Sequence, residues 1–396
     1  MVETGGWGGI AHYAWNLCQA LAQEGVDLVL FTNAQYELAA LPCSFRAEWC
    51  FDAAVGYVRT AGALLRRLSI LSPDVVHVQS LISTRFDALL WPFIRRRMPL
   101  IMTAHNVRGH ENTPWASWTA WRCFRTADAV IVHTQESADT LTRGVSRGTR
   151  VRLIRHGDYA FFEAAERQDR KEARRLLDLP RDRKLVLAFG AIRPYKGILG
   201  LIAALPRIRV RHPDAHLVIV GPLLVGTQDE YREAIKKAGV EAGVTFRPQY
   251  VPHDRVGTYF AAADVAVYNY REVTDSGSLR IACSLNTPVV ATAVGGFREF
   301  LTDGVTGRLV PSGASELLAE AISDVLADPP GAVKMAEAAR ALATSAWSWA
   351  DSAKATLALY HELLGIRSSE SPRLLSSQDG SEAPAPPIGT TKTHGT

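Results

Sequence analysis

The sequence predicts an α/β protein made of two parallel-sheet domains. Three observations carry that expectation. Short apolar runs alternate with amphipathic segments twice along the chain, which implies parallel strands with helix-covered faces. At 396 residues and 47% hydrophobic content, the chain can bury more than one core. Between the two alternating halves, the charged stretch from Arg167 to Lys184 reads as a hinge region plus a lead-in helix at Arg170–Leu177.

In the first half, strands are expected at Val26–Thr32, Asp74–Gln79, Leu100–Ala104, Ala129–His133 and Val151–Arg155. Helical periodicity separates them at Ile10–Gln23, Val58–Leu71, Arg85–Arg97, Trp115–Thr126 and Glu136–Arg143. The second half repeats the rhythm, with strands at Leu185–Phe189, His216–Gly221, Val244–Phe246, Val265–Tyr268 and Val289–Ala291. From Ser368 onward Ser, Pro, Gly and Thr dominate, so a disordered tail is expected.

The start is unusual. Gly5-Gly6-Trp7-Gly8-Gly9 begins four residues after Met1, which leaves no room for a strand ahead of this glycine loop. The spacing Gly6-x-Gly8-x-x-Ala11 superficially matches a dinucleotide fingerprint, but that motif needs a preceding strand and an acidic residue about 20 positions on. Asp27 stands at that distance yet opens the next strand, so nicotinamide binding is disfavoured. A start codon set too far downstream would explain the missing strand. A glycine loop entering a helix still offers backbone N–H groups to an anion or a hydroxyl-rich ligand.

Composition narrows the function classes. A formal charge of +4 is slight for this length and does not suggest nucleic-acid binding. No apolar run approaches the roughly 18 residues of a membrane span, and no signal-peptide pattern opens the chain. The five cysteines lack a CxxC, which argues against a disulfide framework and a structural zinc site. Reduced thiols in cytoplasm are expected.

The most informative stretch is Gly190-Ala191-Ile192-Arg193-Pro194-Tyr195-Lys196-Gly197. It leaves a buried strand and opens a helix with apolar residues at Leu201, Ile202, Leu205 and Ile208. Such a turn sits at the carboxyl edge of a sheet, where α/β proteins bind ligands. Arg193 offers a planar fork and Lys196 a point charge, three residues apart, and a diphosphate is the natural anion for both. A solvated basic loop explains the octet equally well. A second constellation, Tyr270-Arg271-Glu272-Val273-Thr274-Asp275-Ser276-Gly277-Ser278, follows another strand and supplies helix-capping residues. An ordinary N-cap is the commoner explanation. Its pairing with the Arg193/Lys196 turn favours amides and cations facing one phosphate group.

Together these residues resemble glycosyltransferase family 4. The resemblance rests on Gly5 to Gly9, Gly190-x-Ile192-Arg193-x-x-Lys196-Gly197, Ser276-Gly277, and Asn286-Thr287-Pro288-Val289-Val290-Ala291-Thr292 followed by Val294-Gly295-Gly296. Thr103-Ala104-His105-Asn106, Arg155-His156-Gly157, Asp303-Gly304-x-Thr306-Gly307 and Trp347-Ser348-Trp349 match further, and the likeness runs from Gly5 to about Leu364. It implies a GT-B architecture: two Rossmann-like domains facing across a cleft, with a C-terminal helix crossing back onto the first. The corresponding division is residues 1–165 (acceptor side), 166–346 (donor side), 347–366 (crossover helix) and 367–396 (disordered tail).

The resemblance also implies sugar transfer from a nucleotide sugar, such as a UDP- or GDP-sugar, with retention of anomeric configuration and no bound metal or other cofactor. The chain has no Asp-x-Asp pair, in keeping with that expectation. Breaking a glycosyl–phosphate bond builds charge on the departing diphosphate, so fixed donors aimed at it supply most of the catalysis. Arg193 and Lys196 are the expected leaving-group stabilisers. His105 is expected to contact the donor sugar. Gly190, Glu272, Asp275, Ser276, Gly277, Ser278 and Ile281 are expected at the donor, and Gly8, Gly9, Gly295 and Gly296 in acceptor-side loops. His110 and Glu111 lie near His105, but a metal site there lacks further ligands at sensible spacing.

Two departures from the family pattern matter, the missing first strand and the helix-start glutamates. The family carries two glutamates eight positions apart around the helix start, the second holding the donor's ribose; here those positions are Val273 and Ile281. Losing a charged hydrogen bond of about 1.5–3 kcal/mol weakens donor binding by about ten- to a hundredfold. A homologue that binds nucleotide or glycan without turnover is therefore the alternative, and a sugar-nucleotide epimerase is a third reading. Expected partners are the nucleotide sugar and a glycan or lipid-linked acceptor. Arg66, Arg67, Arg95 to Arg97, Arg122 and Arg125 suggest peripheral contact with an anionic membrane, although solvated helix faces explain them as well.

Overall fold

The computed structural model describes residues 1–52, 56–82, 86–107, 114–162, 169–346 and 348–366. The first half contains α1 (Gly8–Gln23), β1 (Val29–Asn33), β2 (Arg46–Phe51), α2 (Tyr57–Leu71), β3 (Val76–Val78), α3 (Asp87–Arg95), β4 (Leu100–Thr103), α4 (Pro114–Thr126), β5 (Ala129–Val132), α5 (Gln135–Gly144) and β6 (Arg150–Leu153). Strands β3 to β6 form one parallel sheet in sequence order, and β1 pairs with β2 beside it.

Val2 joins these two pieces. It bridges Phe31 of β1 and Val78 of β3 in parallel register, and its N–H donates to the His77 carbonyl at 2.8 Å. The Glu3 N–H donates to the Phe31 carbonyl at 2.9 Å, and the Gln79 N–H to the Val2 carbonyl at 2.8 Å. The slot expected to be vacant is thus filled by Met1–Glu3. A strand this short has no periodicity for sequence reasoning to find.

The second half contains α6 (Arg170–Leu176), β7 (Lys184–Phe189), α7 (Ile198–Arg211), β8 (Ala215–Val220), α8 (Gln228–Lys237), β9 (Val244–Arg247), α9 (His253–Ala262), β10 (Val265–Tyr268), α10 (Gly277–Ser284), β11 (Val289–Thr292), α11 (Phe297–Phe300), β12 (Arg308–Val310), α12 (Ser315–Ala327), α13 (Pro329–Ala346) and α14 (Trp349–Leu364). Its parallel sheet has the order β12-β11-β10-β7-β8-β9. The inner strands are apolar on both faces because apolar clusters cover both sides of the sheet. The chain runs outward from β7 through β8 to β9, then returns to the other side of β7. The strand order therefore reverses between β7 and β10, and a crevice opens beyond their carboxyl ends.

Strands β2 and β12 fall outside the sequence expectation. β2 reads Arg-Ala-Glu-Trp-Cys-Phe and lies half exposed at a sheet edge; β12 is three residues long. Neither produces a buried apolar run. Helix α14 returns to the first half, where Ala353, Leu359 and Tyr360 pack with Ala11, Leu17 and Leu21 of α1. The Trp349 indole donates to the Asp158 carbonyl at 2.7 Å, and the Ser352 hydroxyl to the Arg155 carbonyl at 2.7 Å, so α14 is anchored on the chain crossing between domains. Trp347, the expected tail and the His110/Glu111 pair lie outside the described residues.

Candidate functional site

The crevice between β7 and β10 opens into a cavity that reaches the first domain. Its second-domain wall includes Gly190, Lys196, Asp275, Ser276, Gly277, Ser278 and Ile281; Trp7, Gly8, Gly9 and His12 line the opposite side. Tyr159 and Phe162 floor it from the interdomain crossing.

Backbone bonds weld the two second-domain loops into one surface. The Arg271 N–H donates to the Tyr195 carbonyl at 2.7 Å, and the Asn269 amide to the Gly197 carbonyl at 2.9 Å. The Ser278 hydroxyl donates to the Phe189 carbonyl at 3.1 Å. Gly197 adopts φ +64°, and a Cβ there would lie 2.0 Å from the Asn269 carbonyl oxygen, so only glycine fits this junction.

Lys196 occupies that surface. A Cβ on Gly190 would sit 3.1 Å from its Nζ and 3.8 Å from Ser278, which places the ammonium between the glycine turn and the start of α10. Nζ also lies 5.3 Å from the centroid of the Tyr270 ring. Burial lowers the Lys196 pKa, and the Arg193 charge pushes it further down against an opposing effect of Tyr195. An ammonium held in this way gains when an anion arrives.

Ser276 caps α10, its hydroxyl accepting from the Leu279 N–H at 3.3 Å. The first-turn amides of Gly277 and Ser278 meet no acceptor among the described residues, so they and the helix dipole face the cavity beside Lys196. Asp275 lines the cavity too, but its carboxylate is engaged: Oδ1 accepts from the Ser276 N–H at 2.6 Å and from Arg280 Nε at 3.1 Å. Arg280 is fully buried, with Nη1 donating to the His156 carbonyl at 3.3 Å and its guanidinium 4.0 Å from the Phe300 ring centroid. Asp275 therefore ties the helix start to the interdomain crossing.

Several expected residues stand elsewhere. Arg193 starts the turn beside Lys196 without lining the cavity, and Glu272 is exposed outside it. Gly295 and Gly296 are also outside the lining. A Cβ on Gly295, at φ +40°, would lie 1.8 Å from the Val273 carbonyl oxygen, and one on Gly296 would lie 2.3 Å from that of Thr274. These glycines let one loop press against another. They also place Glu299, whose Oε2 accepts from the Gln135 N–H at 3.1 Å at the start of α5, across the domain boundary. By contrast, Gly8 and Gly9 have no atom within 4 Å of a built Cβ and border open space. Val273 is buried in the core, whereas Ile281 reaches the cavity.

His105, also outside the cavity lining, follows β4 and is half-buried, its Nε2 3.1 Å from Gln79 Oε1 and its ring edge-on to Tyr13 at 4.8 Å. Tyr13 also meets His133 at 4.9 Å and His156 at 4.7 Å. Burial pushes the pKa of His105 and His156 well below the usual imidazole value and lowers His133; neighbouring charges add to this at His105 and His156. Among the described residues no three His, Cys, Asp or Glu side chains are grouped to hold a metal ion.

Sequence reasoning did not single out Glu37, Tyr250 or Arg280. Glu37 accepts from the Gly8 N–H at 3.4 Å and hydrogen-bonds His12 and, across the cleft, Tyr250. Tyr250 also meets Trp7 edge-on at 5.1 Å. Trp7, inside the glycine run, was the one visible pointer to this corner.

Comparisons with known proteins agree with the geometry. The model for Glycosyltransferase Family 4 matches residues 7–157, and that for Glycosyl transferases group 1 matches residues 169–342. The D-inositol 3-phosphate glycosyltransferase of Corynebacterium glutamicum (strain R) is 27% identical, over 91% of this chain and 93% of that protein. The Mycobacterium tuberculosis (strain F11) protein of the same name is 29% identical, over 93% and 82%. Among solved structures, sucrose-phosphate synthase from Thermosynechococcus elongatus aligns with a TM-score of 0.75 at 23% identity, covering 92% of this chain and 96% of that one. Anabaena HepE in complex with UDP-glucose aligns with a TM-score of 0.75 at 20% identity, covering 92% and 98%. These neighbours share the two-domain GT-B fold.

Proposed function

The chain belongs to glycosyltransferase family 4 and has the GT-B fold, and from that premise we propose that it transfers a sugar from a nucleotide sugar to a hydroxyl acceptor, with retention and without a metal ion. The observation that carries the reading is the convergence of Lys196 with the first turn of α10 at the β7/β10 switch point. As the glycosyl–phosphate bond breaks, charge builds on the leaving diphosphate. Lys196, the amides of Gly277 and Ser278, and the nearby positive charge of Arg193 stabilise it. His105, which its surroundings keep neutral, follows β4 outside the cavity lining, and its role in this reading is to reach the donor sugar from the first-domain side. HepE, with the same fold, has been solved with UDP-glucose, which favours a UDP-sugar here.

The acceptor is a glycan or lipid-linked precursor on the cytoplasmic side of the membrane. Phe86, Leu89 and Phe93 are exposed at helical spacing along the start and body of α3, and Arg95 to Arg97 follow. That combination suits peripheral contact with anionic lipid. No helix among the described residues is long and apolar enough to cross a membrane.

Incubation with a panel of nucleotide sugars and candidate acceptors, followed by nucleoside diphosphate release, tests the enzyme reading. Release that depends on acceptor supports it; silence across the panel from folded protein contradicts it. Ile281 at the cavity supports the second reading, a nucleotide or glycan binder without turnover. Calorimetric binding with no release selects that reading.

A further inference from the structure

The two walls of the cavity differ in how their anion-binding groups are used. On the second-domain wall Lys196 and the α10 amides are available to a ligand. On the first-domain wall the Gly5, Gly6 and Gly8 amides already hold carboxylates of the chain itself. Gly5 and Gly6 N–H donate to the Glu3 carboxylate at 2.8 and 2.9 Å. Gly8 N–H, His12 and Tyr250 all converge on Glu37. Among the described residues, this wall adds no Lys or Arg to the cavity lining. Trp7, half exposed, and the open space over Gly8 and Gly9 leave room for a ligand.

We propose that the corner formed by Trp7, Gly8, Gly9, His12 and Tyr250 binds an uncharged polyhydroxylated acceptor, and that Glu37 is the residue that excludes a phosphorylated one. This rests on the glycosyltransferase reading and specifies its acceptor class. Glu37 engages the Gly8 N–H and the side chains of His12 and Tyr250, the polar groups of this corner, and it adds a like charge beside any anion placed there. Burial alone would raise the Glu37 pKa, yet bonds from His12, Tyr250 and Gly8 outweigh it and keep the carboxyl below its usual value. The group therefore stays ionised. Trp7 supplies an apolar ring beside hydroxyl-binding groups, a pairing suited to a sugar or cyclitol face.

The test uses full-length protein saturated with UDP, so that the Lys196 wall is occupied. Myo-inositol and inositol 3-phosphate are then titrated as probes by calorimetry, on wild type, Glu37→Gln and Glu24→Gln, the last removing an exposed carboxylate at the far end of α1. Wild type is expected to bind inositol at least as tightly as its phosphate. Glu37→Gln should shift the ratio toward the phosphate by about tenfold, while Glu24→Gln, which removes the same charge away from the corner, leaves the ratio unchanged. A wild-type preference for the phosphate, an unchanged ratio in Glu37→Gln, an equal shift in Glu24→Gln, or no binding of either probe by any variant overturns the proposal. Failure of UDP itself to bind contradicts the donor reading instead, and the UDP titration done first separates the two.

Discussion

The two walls of the cleft use similar sequence signals for different physical ends. Each has a glycine pair and a helix start nearby. On the first-domain wall Gly8 and Gly9 border open space, and the Gly5, Gly6 and Gly8 amides are held by Glu3 and Glu37. On the second-domain side Gly295 and Gly296 lie outside the cavity lining. They exist because another backbone passes within reach of where a side chain would stand. Meanwhile the α10 start keeps its amides open beside Lys196. A glycine motif thus marks close approach, but only the packing says whether the approaching group is a ligand or the protein itself.

Substitutions sharpen that contrast. Gly295→Ala combines a left-handed backbone with a carbonyl clash and should cost about 3 kcal/mol in urea unfolding. Next comes acidification. The folded chain leaves His77 unprotonated down to about pH 3 because it is buried, while the unfolded imidazole takes up a proton below about 6.5. The His77 contribution to stability is therefore fully present above pH 6.5 and is lost as pH drops toward 3, costing about 2 kcal/mol at pH 5. Thermal unfolding at pH 7 and pH 5 of wild type and His77→Gln checks this: the variant should show the shallower pH dependence.

Ile281→Glu restores a carboxylate at the cavity and should tighten nucleoside diphosphate binding about tenfold, roughly 1.4 kcal/mol, by calorimetry. An unchanged affinity would mean that the ribose lies elsewhere. The smallest stability effect is expected for Gly9→Ala, in α1 with nothing nearby. It should leave unfolding within about 1 kcal/mol of wild type, or slightly improve it, while intruding on the acceptor corner.

Much of this arrangement was legible in the sequence, for definite reasons. The alternation of apolar runs and helices requires no knowledge of long-range contacts, and it places β7, β10 and the turns after them. Ser276 caps its helix through a bond three residues away, which is local chemistry. What could not be read depends on strand order and domain apposition. Nothing near Glu37 in sequence announces Tyr250, and nothing near Asp275 reveals that its carboxylate is held by a buried Arg280 against the crossing at His156. The strand-like role of Val2 was hidden because both of its partners are remote in sequence.

Titration of UDP into wild type and the Arg193→Ala/Lys196→Ala double variant, with unfolding curves to confirm an intact fold, interrogates the donor wall most directly. Loss of these two cations should weaken UDP at least a hundredfold, and the wild-type affinity should itself decline as alkaline pH strips the proton from Lys196, whose pKa is already lowered. An undiminished affinity in the folded double variant would contradict the placement of the diphosphate on this wall.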